Sequence, residues 1–166
     1  MSAPQRYLPA LLSIYIAFVF IQSLFFKFID APETQLIFGT LDAWAAGVIG
    51  VEGLFAPGGV FSAKVIGSLE LVAAIALLLG LFVPGLRMLN ALGALLAFCI
   101  ISGAIFFHLF TPLGIVVGDE QVAGVRQSEV ATDGGLLFFM AVGVWIASAI
   151  LIGMGRDRLL SLIGRN

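Results

Sequence analysis

Four long hydrophobic segments stand out along the chain, separated by more polar stretches. The four are nearly free of charge and occupy about residues 8–26, 62–82, 86–110 and 134–154. A helix rises 1.5 Å per residue, so each segment can cross the ~30 Å hydrocarbon core of a bilayer. A closed barrel would need many alternating strands, which the chain lacks. The pattern predicts an all-α integral membrane protein, a four-helix bundle that forms one domain over residues 1–166.

The connections between these segments differ in length. "VPGLR", with Pro84 and Gly85, joins the second segment to the third and predicts a tight antiparallel hairpin. The other two connections, residues 28–61 and 111–132, are long. Basic residues gather near both termini and at the short turn, namely Arg6, Arg87, Arg156, Arg158 and Arg165. The positive-inside rule therefore predicts an N-in/C-in topology with two long extracytoplasmic loops.

Each long connection carries a further pattern. The stretch "LIFGTLDAWAAGVIG" has apolar residues that recur at helical spacing, namely Ile37, Leu41, Trp44, Ala45 and Val48. This spacing predicts an amphipathic helix with its tryptophan at headgroup depth, either lying on the bilayer or covering the outer mouth of the bundle. In the second connection, "GIVVGDEQVAGV" predicts a small β-hairpin around Gly118 and Asp119.

Composition agrees with a membrane protein and narrows its partners. Hydrophobic residues make up 61% and charged residues 11% of the chain, with a mean hydropathy of +1.14. The net charge of −2 and the absence of a basic run argue against nucleic acid. Cys99 is the only cysteine, which excludes an internal disulfide and a CxxC thiol pair. The expected partners are the lipid bilayer, membrane-borne proteins and small lipophilic molecules.

Polar side chains interrupt the outer half of every span. Gln22 and Lys27 lie near the end of the first span, His108 near the end of the third, and Asp133 at the start of the fourth. Glu70 is eight residues into the second span, ~12 Å below its outer end. The inner half holds nothing more polar than serine and asparagine. This asymmetry predicts a cavity within the membrane that opens to the outside.

Small residues predict which way two of these side chains face. Gly67, Ala73 and Ala74 surround Glu70 at helical spacing, and an alanine-rich stripe leads along the third span to His108. Faces of small residues let helices approach closely in lipid, so both polar groups should point into the bundle.

Each candidate also has a structural interpretation. Lys27 is a possible snorkelling anchor, and Asp133 precedes two glycines in a natural N-cap position. His108 has the alternative of bonding a loop carbonyl at the wet interface. For Glu70 the alternatives are an ion pair with Lys27 or hydrogen bonds to Gln22.

The residue inventory restricts the chemistry. A single histidine excludes multi-histidine haem, copper and zinc sites built from this chain, and neither a phosphate loop nor an HExxH motif is present, so no metal site is predicted. Acid–base chemistry remains, with Glu70 and His108 as candidate catalytic proton carriers. A quinone would suit such a site, since its reduction takes up two protons. Its candidate contacts are Gln22, Lys27, Glu70, His108 and Asp133.

Four stretches carry a resemblance to a known family. They are "QSLFFKF", "KVIGSLELVAAIALLLGLFVPGLR", "AIFFHLF" and "DGGLLFFMAVGVW", which follow one another over nearly the whole chain. In order and spacing they resemble the DoxX-like family of small four-helix membrane proteins, which includes DoxD-type subunits of thiosulfate:quinone oxidoreductases. The resemblance implies a bacterial-type inner membrane, quinone-linked redox chemistry and a membrane or peripheral redox partner. Glu70 and Lys27 match the family's most recognisable polar features.

Three functions are therefore open. The first is a membrane subunit of a redox system that binds a quinone or similar lipophilic molecule. The second is a binding or transport protein for a small hydrophobic solute or ion, without a redox step. The third is a structural accessory subunit whose polar cluster fixes helix packing.

Overall fold

The computed structural model describes residues 3–118, 132–162 and residue 164, and within these ranges the chain forms five helices. They are α1 (Ala3–Phe28), α2 (Pro32–Ile49), α3 (Ala63–Phe82), α4 (Arg87–Phe110) and α5 (Leu136–Leu162). All except α2 are long and apolar enough to cross a membrane. The four predicted spans and the all-α class are confirmed, and the protein is a multi-pass membrane protein.

The four long helices pack in a closed order, α1 against α3, α3 against α4, α4 against α5, and α5 back against α1. Glycines allow α3 and α4 to approach each other closely. A Cβ on Gly80 would lie 2.1 Å from the backbone nitrogen of Asn90, and one on Gly93 would lie 2.9 Å from that of Leu77. The predicted small-residue face of α3 is confirmed, because its buried residues are Gly67, Glu70, Ala73, Ala74, Leu77 and Gly80.

The last helix differs most from its predicted bounds. It begins at Leu136 rather than residue 134, because Gly134 and Gly135 have positive φ angles of 59° and 85°. It also continues eight residues past the predicted end, through the basic segment after Met154. The hydropathy pattern shows only where the apolar residues end. The helix extends into the polar residues that follow, because its backbone hydrogen bonds continue there.

A second, smaller hydrophobic core lies at one end of the bundle. We call this structure the α2 layer; it consists of α2, residues 50–61 and residues 111–117. Its buried residues are Leu36, Leu41, Ala45, Phe55, Leu113 and Val117, and Phe107 of α4 packs against them. Because α1 ends, α3 begins and α4 ends beside these segments, the layer covers the end of the bundle opposite the turn at residues 83–86.

The predicted helix in the first long connection is confirmed as α2. Its Trp44, however, packs against protein, whereas the sequence predicted that it lies among lipid headgroups. Trp44 packs edge-on against Phe107 with ring centroids 6.1 Å apart, so it contributes to the core of the α2 layer. Leu41 and Ala45 are buried in the same core. The apolar face of α2 therefore covers protein over most of its length.

The predicted hairpin lies mostly outside the described residues, which omit 119–131. Residues 111–118 form turns, and no strand occurs in the described ranges.

Candidate functional site

Lys27 and Glu70 form an ion pair between α1 and α3. The Lys27 Nζ lies 2.8 Å from Oε2 and 3.0 Å from Oε1 of Glu70, and it also donates a hydrogen bond to Ser23 Oγ. The ammonium thus contacts both carboxylate oxygens and the serine hydroxyl. Of the alternatives for Glu70, the structure contains the ion pair with Lys27.

Both side chains of the pair are largely buried, with exposed fractions of 12% for Lys27 and 7% for Glu70. Gly67, one turn before Glu70, makes room for this arrangement. A Cβ at that position would lie 3.0 Å from the Phe28 ring, 3.2 Å from Leu24 Cδ1 and 3.5 Å from Lys27 Cδ. The methylene stem of Lys27 therefore crosses the bare backbone of α3 to reach the carboxylate.

Burial makes this pair expensive to form. Removing two ions from water costs several kcal/mol each, and the cost is recovered only when the geometry is good and further hydrogen bonds are made. Here the ammonium reaches both carboxylate oxygens and a serine hydroxyl, which satisfies that condition. The loss of either partner would leave the other as an uncompensated buried charge.

The carboxylate of Glu70 retains hydrogen-bonding capacity. Its two oxygens offer about four acceptor positions. Lys27 contacts both oxygens and Ser23 is a further side-chain hydrogen-bond partner, so some acceptor capacity remains. An additional group at this pair is therefore best accommodated if it brings its own hydroxyl or amine hydrogen.

His108 faces the α2 layer at the end of α4. Its Nδ1 lies 2.6 Å from the carbonyl oxygen of Gly114, to which a protonated Nδ1 donates, and its ring packs edge-on against Phe138 at 5.7 Å. The side chain is buried, as the alanine stripe predicted. The predicted bond to a loop carbonyl is confirmed, and it joins α4 to the segment that follows it.

Glu70 and His108 lie at different depths. Gly80 faces Asn90 across the α3–α4 pair, and Gly93 faces Leu77. Continued along the two helices, this antiparallel pairing sets Glu70 opposite residue 100, eight residues before His108. That separation is ~12 Å along the helix axis, too far for the two side chains to share a proton directly.

Asp133 joins the start of α5 to the α2 layer. Its Oδ1 accepts hydrogen bonds from the backbone nitrogens of Val117 at 2.8 Å and Gly135 at 3.0 Å, and its Oδ2 accepts one from Leu137 at 3.0 Å. Its own backbone nitrogen donates to the Val117 carbonyl at 3.2 Å. Bonds to the first turn of a helix are those of an N-cap, so the predicted capping role is confirmed.

Gln22 lies apart from the ion pair. Its side chain is exposed on α1, and five residues separate it from Lys27, which turns it ~140° around the helix. Of the five predicted contact residues, the structure thus brings Lys27 and Glu70 together, places His108 and Asp133 at the α2 layer, and leaves Gln22 on the outer surface.

Two contributors to this region were not among the predicted site residues. Ser23 shares a face with Lys27 at a spacing of four residues, a signal that was visible in the sequence. Asp42 accepts a hydrogen bond from the backbone nitrogen of Phe55 at 2.9 Å and so holds residues 50–61 against α2. The two residues are thirteen positions apart in the chain, and no local pattern indicates their contact.

A shallow groove of about 310 Å³ lies on the other side of α3. Its lining residues are Lys64, Val65, Ser68, Leu69 and Val72, which face away from Glu70. The groove therefore belongs to the outer surface of the bundle and is separate from the ion pair.

Neither metal ligation nor comparison with known proteins adds an assignment for these residues. Among residues 3–118 and 132–162, no three His, Cys, Asp or Glu side chains are grouped so that they could hold a metal ion. Comparison of the chain with protein-family models, with curated proteins and with solved structures gives no match.

Proposed function

We propose that the protein is a membrane subunit of a redox system and binds a quinone, in its quinol form, beside the Lys27–Glu70 pair. The observation that carries this proposal is the buried carboxylate with acceptor positions left over, at a helix seam inside an apolar bundle. A quinol presents hydroxyl donors on a lipophilic ring, which fits an acceptor in such surroundings. The resemblance to DoxX-like proteins points to the same class of ligand.

The residues then take different roles. Glu70 accepts a hydrogen bond from a ring hydroxyl, and Lys27 keeps the carboxylate in place from the opposite side. His108 and Asp133 act as positioning residues, since both bond backbone groups of the α2 layer. Interconversion of quinone and quinol moves two protons and two electrons. The protons pass through Glu70, and the electrons are exchanged with a redox centre in a membrane or peripheral partner protein.

The orientation in the membrane follows from the positive-inside rule. Arginines lie near both chain termini and at Arg87, beside the short turn. We therefore place that end of the bundle in the cytoplasm and the α2 layer on the extracytoplasmic side of a bacterial-type inner membrane.

The test is to measure quinone retained by the purified protein. We expect extraction and chromatography to find quinone with the wild type and much less with Glu70→Gln, which keeps the shape of the side chain but weakens its accepting capacity. Asn90→Ala is a matched control, because it alters a half-buried polar side chain at the opposite end of the bundle. Equal retention by wild type and Glu70→Gln, or no quinone in any sample, would contradict the proposal.

The bonds of Lys27 to both Glu70 oxygens and to Ser23 favour a second candidate, a structural accessory subunit. In that case the pair only joins α1 to α3. Replacement of both partners by apolar residues would then preserve stability and every activity of the assembled system, whereas the redox proposal requires activity to be lost.

A further inference from the structure

An exposed apolar edge borders the α2 layer. We call it the rim; it consists of five large hydrophobic residues, namely Val48, Ile49, Val51, Val60 and Phe61. All five are exposed, and Val48 and Val60 reach 67% and 70%. Single exposed apolar residues are common, but a group of this size on one edge indicates an interaction surface.

Backbone contacts bring the segments that carry the rim together. The Phe61 nitrogen donates to the Leu54 carbonyl at 3.0 Å, and a Cβ on Gly59 would lie 2.2 Å from the Gly53 oxygen. Residues 53–54 and 59–61 therefore lie side by side. The Val51 nitrogen donates to the Ala45 carbonyl at 3.3 Å, which folds this pair of segments against the last turn of α2.

The rim also continues a face that is buried elsewhere. Leu41, Ala45 and Val48 share one face of α2 at helical spacing. The first two are buried in the core of the α2 layer, whereas Val48 extends past its edge. An apolar face that runs beyond its own core requires another apolar surface to cover it.

The lipid-facing surface of the bundle begins where the rim ends. Phe61 directly precedes Ser62, the N-cap of the membrane-spanning α3, whose first exposed residues include Lys64 and Val65. Lysines at the ends of spans extend their ammonium groups to the headgroups. The interfacial zone adds ~5–7 Å on each side of the hydrocarbon core, enough to include residues within one turn of that lysine.

We propose that the rim is immersed in the interfacial zone of the bilayer and anchors the α2 layer to the lipid surface. The partner is the lipid of one leaflet, recognised by apolar burial rather than by a specific headgroup. This inference rests on continuity of the rim with the spans and is independent of any quinone chemistry. It accounts for the exposure of Val48 and Val60 beside a well-packed core.

Site-directed fluorescence quenching tests this placement. A bimane label is attached to Val60→Cys, or to Val48→Cys as a second rim position, in a Cys99→Ala background and in phosphatidylcholine–phosphatidylglycerol vesicles. The matched control is Ala43→Cys, because Ala43 is exposed on α2 and lies ~140° around the helix from Val48. Nitroxide lipids quench labels in the bilayer, and iodide quenches labels in water.

We expect nitroxide lipids to quench the rim labels several-fold more strongly than the Ala43 label, with the order reversed for iodide. Strong iodide quenching at both rim positions would overturn the inference, since the rim would then face water. Protection from both quenchers, together with energy transfer between labelled copies, would also overturn it and identify a second copy of the chain as the partner.

Discussion

Two buried polar clusters join the helices of this bundle, and they differ in charge. Near the α2 layer, Lys27 and Glu70 connect α1 to α3 as ions. Near the turn, Asn90 Nδ2 donates to Ser13 Oγ at 2.8 Å and to the Leu77 carbonyl at 3.0 Å, connecting three helices without charge. A neutral amide thus fixes helix packing at much lower desolvation cost. Since a neutral cluster can join helices in this bundle, the costlier charged pair is where we propose a ligand.

The largest effect is expected when the ion pair loses its cation. Lys27→Met should lower the free energy of unfolding by about 3–5 kcal/mol, because Glu70 is left as a buried charge without a partner. Thermal unfolding in detergent measures this loss. Lys64→Met is the matched control, since Lys64 is exposed on the outer surface of α3, and it should change little. Equal effects of the two substitutions would show that the pair contributes no more than a surface lysine.

A double substitution separates the two interpretations of the pair. Lys27→Met with Glu70→Leu removes both charges, so we expect most of the stability lost in Lys27→Met to return. If stability returns while quinone retention does not, the pair serves the ligand; if both return, it serves only the packing.

A smaller loss is expected at the neutral cluster. Asn90→Ala removes the donor to Ser13 and Leu77 and should cost about 1–3 kcal/mol. The same thermal unfolding assay applies. A loss as large as that of Lys27→Met would remove the contrast between the charged and neutral clusters.

The smallest effect is expected at Asp133. Asp133→Ala removes the cap of α5 and should cost about 1 kcal/mol. It also releases Val117, so hydrogen exchange should increase at residues 111–117 while the centre of the bundle is unchanged. Asp133→Asn retains one acceptor oxygen and should recover much of the protection. Unchanged exchange in Asp133→Ala would mean that this bond does not hold the α2 layer.

The sequence predicted those features that depend on one helix at a time. Four apolar runs were sufficient to locate the spans, and the small residues beside Glu70 were sufficient to turn it inward. Sequence could not choose between Lys27 and Gln22 as its partner. The long side chain of Lys27 can reach inward from the end of α1, Gln22 lies five residues deeper, and the choice depends on the rotation of α1 about its axis. That rotation is set by packing against α3, including the close approach at Gly67.

The α2 layer was the least predictable part for a related reason. Its core combines residues 32–61 with residues 107–117, which are distant in the chain, so Trp44 acquired a partner, Phe107, that no local spacing indicates. The helix itself was predictable, since its apolar residues repeat at helical spacing.

The two hydrogen bonds between Val117 and Asp133, one of them to the Asp133 carboxylate, have a practical consequence. They hold these two residues together, so both ends of the segment between them are fixed at one point. The entropy of closing a loop grows only slowly with its length, about 0.6 kcal/mol for each doubling. An epitope inserted between these residues should therefore leave the fold intact, and its accessibility to antibody in intact cells would report on which side of the membrane the α2 layer lies.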